Sequence, residues 1–431
     1  MDLFDVGPAA AISVVIAAGI ILSFAVVFFI HSAPPTQITI STGPAGGGFE
    51  KFAQAYAKVL QENGVKVKLE NSQGSNQNLI RLKDKSSHVD VAMVQAGIAT
   101  GDTSDLISLG SISQQPVLIF YRGKAMTLLS ELKHKRIAIG PDGSGANQLA
   151  TAILALNGIK TEADAVMLPL SAEEAYEAMQ KKQIDAAFIM SESASINILK
   201  GLVREKDVRL YSFTQQTGYV RKLTYLNALT LPAGVIDMGV NLPKKDVALV
   251  GPTIELVATK SLHPALSDLL LDAATQVHSK PGIFQFRGEF PAPQEHDIKI
   301  SDDANRYYKS GKSFFYRYLP YWLASLLSRI LTVFLPAVVI LIPAIKAILG
   351  FFRWRVRVKI YQRYKELLTL ERELHAESDP VKQARLRENF DRIEEATSKM
   401  RVKGSYANEI YGLRGHIDYV RRLVAEKQKL A

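Results

Sequence analysis

The sequence contains no cysteine. That excludes a disulfide framework, a thiolate metal site and a lipoprotein anchored through an acylated cysteine. It leaves the redox compartment open, because proteins of oxidising compartments also dispense with the residue. Basic residues are missing where a secretory leader needs them: Asp2 and Asp5 precede the first apolar run, without Lys or Arg. What is present is a chain of 431 residues, 47% hydrophobic, with a formal net charge of +10. This is room for two or three structural units, and too apolar for disorder.

Two stretches are apolar enough to span a bilayer. Residues 9–30 carry no charge, and at about 1.5 Å per residue they cover a hydrocarbon layer of roughly 30 Å. A cleaved signal peptide is the competing reading. The following His31-Ser32-Ala33-Pro34-Pro35 is a poor cleavage site, so an uncleaved anchor is expected. The second stretch covers about residues 320–352, with an uncharged centre at 330–345. Arg329 and Lys346 can extend that centre by snorkelling. Pro336 and Pro343 would kink the helix, which membrane helices tolerate. Tyr321, Trp322 and Trp354 stand where interfacial aromatics belong. A buried core helix is the alternative.

Orientation follows from the next residues. Arg353, Arg355, Arg357, Lys359, Arg363 and Lys365 all precede the first acidic residue, Glu366. The positive-inside rule makes this end cytoplasmic, both termini inside and residues 32–318 outside a bacterial inner membrane. So close to a membrane span, the basic run is expected to meet anionic lipid headgroups rather than nucleic acid.

After Pro34-Pro35 the pattern alternates between strand and helix. Gln37-Ile38-Thr39-Ile40-Ser41 reads as a strand and Gly43-Pro44-Ala45-Gly46-Gly47-Gly48 as a glycine turn. Phe49, Phe52, Ala53, Tyr56, Val59 and Leu60 then recur at helical spacing. Val65-Lys66-Val67-Lys68-Leu69 alternates as a strand, Gln73-Gly74-Ser75-Asn76 opens another helix, and residues 89–94 form a strand. Residues 117–121, 136–139, 166–168 and 184–189 read as further strands, with helices at 146–156 and 172–181. This order implies two α/β lobes, each a mostly parallel sheet with helices on its faces.

The glycine turns lack what nucleotide chemistry needs. No Lys followed by Ser or Thr completes a P-loop, and Gly143-Ser144-Gly145-Ala146-Asn147-Gln148 lacks the last glycine of a dinucleotide fingerprint. The remaining physics is that of free N–H groups at helix N-termini. With the hydroxyls of Ser41, Thr42, Ser75 and Ser144 they make anion sites, which at the carboxyl ends of parallel strands face one crevice. Tight turns without a ligand are the alternative at any one of them. The eight histidines show no metal spacing. Ser193 and Ser195 lack a G-x-S-x-G elbow. No catalytic constellation and no cofactor motif emerges, so a non-enzyme is expected.

These motifs, in this order over about residues 37–290, resemble the TAXI family of solute-binding receptors of TRAP transporters. They include Ile40-Ser41-Thr42-Gly43-Pro44-Ala45-Gly46-Gly47-Gly48-Phe49, Gln73-Gly74-Ser75-Asn76-Gln77-Asn78-Leu79 and Val89-Asp90-Val91-Ala92-Met93-Val94-Gln95. Ile139-Gly140-Pro141-Asp142-Gly143-Ser144-Gly145 and Gln183-Ile184-Asp185-Ala186-Ala187-Phe188 follow. The resemblance implies a type II-like, two-lobed periplasmic-binding-protein fold that closes on a small organic carboxylate or amino acid and hands it to permease subunits. By position, Thr42, Gly43, Phe49, Ser75, Asn76 and Gln95 would line the first lobe's wall, faced by Ser144, Gly145, Ala146 and Phe188. The chain departs from the family at Phe49-Glu50-Lys51-Phe52, where tyrosines and a glycine are usual. A buried Glu50 would repel a carboxylate; a surface Glu50 would not.

The expected organisation is an anchor at 1–31, a solute-binding domain at 32–318, a second membrane helix at 319–352 and a basic helical tail at 353–431. Within the domain, lobe 1 takes about 32–119 and 227–300, and lobe 2 about 120–226. In the tail, Leu367, Leu370 and Leu374 mark one helix. Asp379-Pro380 opens a second with Leu386, Phe390, Ile393 and Met400. Gly404-Ser405 separates a third, with Tyr406, Ile410, Leu413, Ile417, Val420 and Val424 at coiled-coil spacing. The tail serves either as a self-packing stalk or as a docking element. The expected function is a tethered solute receptor; a ligand sensor signalling through the tail, or a scaffold, is the alternative.

Overall fold

Short strands whose every residue is apolar must be covered on both faces. That is how the central sheets are built. The computed structural model describes residues 8–161, 163–191, 194–376, 379–399 and 407–430. Asp2, Asp5, Ser193, Met400, Gly404, Ser405 and Tyr406, named above, lie outside these. The chain forms two compact units, residues 33–328 and the remainder on either side.

In the first unit, β1 (Gln37–Ser41), α2 (Gly48–Glu62), β2 (Lys66–Glu70), α3 (Ser75–Lys83), β3 (Val91–Gln95) and β4 (Leu106–Gln114) begin lobe 1; α1 (Pro8–His31) precedes them. Lobe 2 follows with β5 (Val117–Arg122), β6 (Arg136–Ala138), α4 (Gly145–Leu156), β7 (Val166–Leu168), α5 (Ala172–Gln180) and β8 (Ala186–Met190). It continues through α6 (Ile196–Arg204), β9 (Val208–Leu210), α7 (Gln216–Lys222) and β10 (Leu226–Leu231). Strand β11 (Val247–Thr259) returns to lobe 1, followed by α8 (Pro264–His278), α9 (Asp302–Ser310) and α10 (Phe314–Tyr318).

The sheet of lobe 1 runs β2-β1-β3-β11-β4, and β11 continues into the sheet of lobe 2, β11-β5-β8-β6-β7. This is the type II order of a two-lobed periplasmic-binding-protein fold. The sheets are mixed, not mostly parallel. β1, β2 and β3 are parallel, as are β6, β7 and β8, but β11 and β5 run antiparallel to their neighbours. The reason is connectivity: these two strands carry the chain from one lobe to the other. The chain also stays in lobe 2 beyond residue 226, because β10 pairs with the first half of β11 from Leu226↔Pro252 to Leu231↔Val247. The crossings lie at Gln115-Pro116 and Gly251-Pro252, joined by a hydrogen bond from Gln115 N to Pro252 O of 2.9 Å.

Period-two alternation sorts the core. Val117, Ile119 and Tyr121 of β5 pack on the α4 side with Leu149, Ile153 and Phe213, while Leu118 and Phe120 pack on the α5 side with Met179 and Leu202. In lobe 1, Val91 and Met93 face α2 and α8, and Ala92 and Val94 face α3. Phe120, Tyr211 and Phe213 are fully buried; truncating such a ring to alanine costs about 3–5 kcal/mol. Strand β4 gives no apolar run in the sequence. Its Ser108, Ser111 and Ser113 are buried all the same, Ser108 Oγ donating to Glu255 Oε2 at 3.0 Å and Ser111 Oγ to Thr253 Oγ1 at 3.1 Å.

The second unit is helical. α11 (Tyr321–Ala376) is one continuous helix, so the second apolar stretch and the first tail helix are not separate elements. Within the unit, Arg329 lies over the Phe29 ring of α1, 4.6 Å from its centroid. α12 (Pro380–Ser398) and α13 (Ala407–Leu430) pack on the end of α11 through Ile360, Leu367, Leu370, Phe390, Leu413 and Ile417. Asp379 caps α12, its Oδ1 accepting from Val381 N at 2.9 Å.

Candidate ligand-binding cleft

Each strand-turn-helix step sends a helix away from the carboxyl edge of its strand, and in both lobes that edge faces the other lobe. The helix N-termini therefore converge. A cavity of about 360 Å³ is lined by Gly47 and Gly48 of α2, Gly74 and Ser75 of α3, Ser144 and Gly145 of α4, Ser171 and Ala172 of α5 and Ser195, the cap of α6. The volume suits a small organic molecule. First-turn N–H groups have no intrahelical acceptor, and each helix adds a partial positive charge at that end. Five such ends around one cavity form an anion-attracting wall.

Local sequence explains the geometry. Ser144 Oγ accepts from Asn147 N at 3.1 Å and donates to Pro141 O at 2.6 Å, which starts α4 at the glycine turn. Ser171 and Glu174 form a capping box, 3.2 Å and 2.8 Å, that starts α5; the backbone N–H of Ser171 holds the Glu174 carboxyl below the usual range. Ser75 Oγ accepts from Gln95 N at 3.0 Å, tying α3 to the end of β3. The lobes touch across the cleft: Gln95 Nε2 donates to Gly145 O at 3.3 Å, and Gln77 N to Gly143 O at 3.3 Å. Gly145 makes room for that contact, because a Cβ there would stand 2.5 Å from Gln95 Oε1.

Three residues that line the cavity carry polar atoms without a partner. Gln95 Oε1, Gln115 Oε1 and Ser191 Oγ are buried and have no hydrogen-bond partner among the described residues. A buried acceptor without a donor costs about 1–3 kcal/mol, so the cleft is set to receive N–H or O–H groups. The ionic side chains among its described lining residues are Lys51 from lobe 1 and Glu173 from lobe 2. Phe49, Phe52, Leu170 and Phe188 supply apolar surface.

Of the residues singled out in the sequence, Phe49, Ser75, Gln95, Ser144, Gly145, Ala146 and Phe188 line the cavity. Ser41, Thr42, Gly43 and Asn76 are not among its lining residues. Ser41 and Thr42 are fully buried behind the wall. Ser41 Oγ donates to Asn78 Oδ1 at 2.7 Å and accepts from Arg81 Nη1 at 3.1 Å; Thr42 Oγ1 bonds to the carbonyls of Gly43 and Glu70, each at 3.3 Å. The hub of this support is Asn78. It donates to Thr42 O at 2.5 Å and Met93 O at 2.8 Å, and also accepts from Ser72 Oγ at 2.7 Å. Glu50 stands off the cavity, half-exposed, accepting from Gly46 N at 2.5 Å and Asn71 Nδ2 at 3.3 Å. It braces the glycine turn and does not oppose an anion in the cleft. Gln115, Ser191, Lys51 and Glu173 were not legible as lining residues, since each falls outside the glycine motifs.

The chain has similarities to solved structures at 20% identity or less. It is similar to the alkanesulfonate-binding protein SsuA of Xanthomonas axonopodis pv. citri bound to MOPS, at 20% identity over 57% of this chain and 73% of that one, TM-score 0.37. An ancestral arginine-binding protein bound to arginine is 14% identical over 57% and 93% of the two chains, TM-score 0.37. Lipoprotein Tp32 of Treponema pallidum is 13% identical over 56% and 90%, TM-score 0.34. No curated protein matches the sequence significantly. The profile of the NMT1-like family matches residues 40–270. That is more than half of the chain and includes the elements that meet at the cleft, and the chain belongs to the NMT1-like family.

Proposed function

We propose that this chain is a membrane-tethered, extracytoplasmic receptor of the TAXI type. It binds a small organic carboxylate in the interlobe cleft and presents it to a TRAP-type permease on another chain. The observation that carries the reading is the meeting of five helix N-termini with three unpartnered acceptors on one cavity. The N-termini hold an anionic group, and Gln95, Gln115 and Ser191 take hydrogen bonds from donors elsewhere on the ligand. Among the described lining residues the ionic side chains are one cation and one carboxylate, Lys51 and Glu173; an amino-acid-like zwitterion fits that balance better than a dicarboxylate. Tethering is supported by two helices that each hold an 18-residue apolar stretch, of mean hydropathy 2.8 in Ala11–His31 and 2.4 in α11, and by the basic run after residue 352.

The test is calorimetry on the full chain in nanodiscs against amino acids, dicarboxylates and other small organic acids. We expect saturable binding of an amino-acid-like acid, weakened about tenfold or more by Gln95→Leu, the loss of roughly one buried hydrogen bond. A folded protein that binds nothing in the library would overturn the reading. One observation favours a sensor instead: α11 is unbroken from Tyr321 to the helical cluster of the tail. Deleting residues 379–431 separates the two, since a sensor would lose regulation and keep uptake.

A further inference from the structure

The juxtamembrane segment has two unlike faces. Its inner face is fastened to lobe 1. Arg306 on α9 pairs with buried Asp268 of α8 at 2.6 Å, Lys312 pairs with Asp272 at 2.9 Å, and Tyr308 Oη donates to Leu109 O at 2.9 Å. Tyr321 packs on the lobe 1 core, 5.6 Å from the Tyr316 ring. The outer face carries Phe314 and Tyr318, and Trp322 follows at the start of the next helix; these are 71%, 68% and 67% exposed. The rings of Phe314 and Tyr318 are 5.4 Å apart, so they share a face. Exposed Lys309 and Arg317 flank it. Three large aromatic rings turned away from a core that already holds their neighbours need an occupant.

We propose that this face docks on the bilayer, with Phe314, Tyr318 and Trp322 in the headgroup layer, and so seats lobe 1 on the membrane surface. Chain continuity identifies the occupant. Trp322 is the second residue of α11, the helix whose apolar run follows at once. The amphipathic rings of Tyr318 and Trp322, each with one polar atom, prefer the interface between hydrocarbon and water, Phe314 adds apolar surface, and the adjacent cations suit phosphate groups. The proposal rests on the reading that α11 crosses the membrane.

The absence of cysteine gives a clean background for its test. Single variants Phe314→Cys, Tyr318→Cys, Val338→Cys and Met238→Cys in the full chain carry an environment-sensitive fluorophore, in nanodiscs of phosphatidylcholine and phosphatidylglycerol. Lipid quenchers are placed at shallow or deep positions. Positions 314 and 318 are expected to shift to the blue and to be quenched by the shallow probe. Position 338 should respond to the deep probe, and position 238 on lobe 2 to neither. If 314 and 318 behave like 238 while 338 is lipid-buried, the docking face is wrong and the tether stands. If they are shielded from water but unquenched by lipid, a protein covers the face and the lipid assignment falls. If 338 also reads water, the tether itself fails, and this proposal with it.

Discussion

At the scale of single residues, the buried polar groups decide most. Asn78 uses both its N–H donors and its carbonyl to bind β1, β3 and the loop before α3. Asn78→Ala leaves several buried partners without a bond, and we expect about 2–4 kcal/mol of lost stability in a urea titration, a loss that Asn76→Ala should not show. Glu255 makes a different prediction. Burial pushes its pKa from 4.5 up to about 8, with Asp297 and Glu295 pushing the same way and Ser108 opposing. Raised in the folded state, this group contributes stability that is fully present below 4.5 and lost as pH rises through about 8. His296 is held below its ordinary value by burial, against Asp297. His278, lowered to about 4 by burial, is neutral throughout the pH range 6.5–8.5. Both lowered histidines add stability as pH rises through 6.5, so melting temperature should fall from about pH 7 upward, and Glu255→Gln should flatten the fall; an unchanged slope in the variant would mean that Glu255 is not the titrating group.

At the scale of elements, the sequence was most legible where period and turn chemistry agreed. β1, α2, β5 and β8 each carry an apolar face or run bounded by glycine or polar turns, and their positions follow from it. Strand β4 does not, because Ser108, Ser111 and Ser113 occupy its buried positions, and Ser108 and Ser111 donate to Glu255 and Thr253, 147 and 142 residues away. A partner so distant leaves no local trace. The same holds for Gln115, which lines the cleft only because the chain crosses between lobes there. The crossing itself yields a prediction. A Cβ at Gly251 would lie 2.5 Å from Gln115 O and 2.6 Å from Pro116 Cα. Gly251→Ala must push the two crossing strands apart. We expect a lower melting temperature and weaker ligand binding from the full chain, while Gly101→Ala, with open space around it but a positive φ of 73°, should affect stability alone.

At the scale of the molecule, the two connections out of the binding unit leave from one lobe. α1 leads into β1 through residues 32–36, and the path to α11 runs through α9 and α10, which are tied to α8 and β4. The chain crosses between lobe 1 and lobe 2 at Gln115-Pro116 and at Gly251-Pro252. If both ends are held in a bilayer, closure must move lobe 2 over a stationary lobe 1. A fluorophore at Leu156→Cys on lobe 2 and one at Ile80→Cys on lobe 1, both exposed positions, distinguish the possibilities by energy transfer to acceptors in the lipid surface. Ligand should change the transfer from position 156 and leave that from position 80 constant. Equal changes at both positions would mean that the two lobes move as one body, and that the fastening of lobe 1 through Arg306 and Lys312 does not hold it in place.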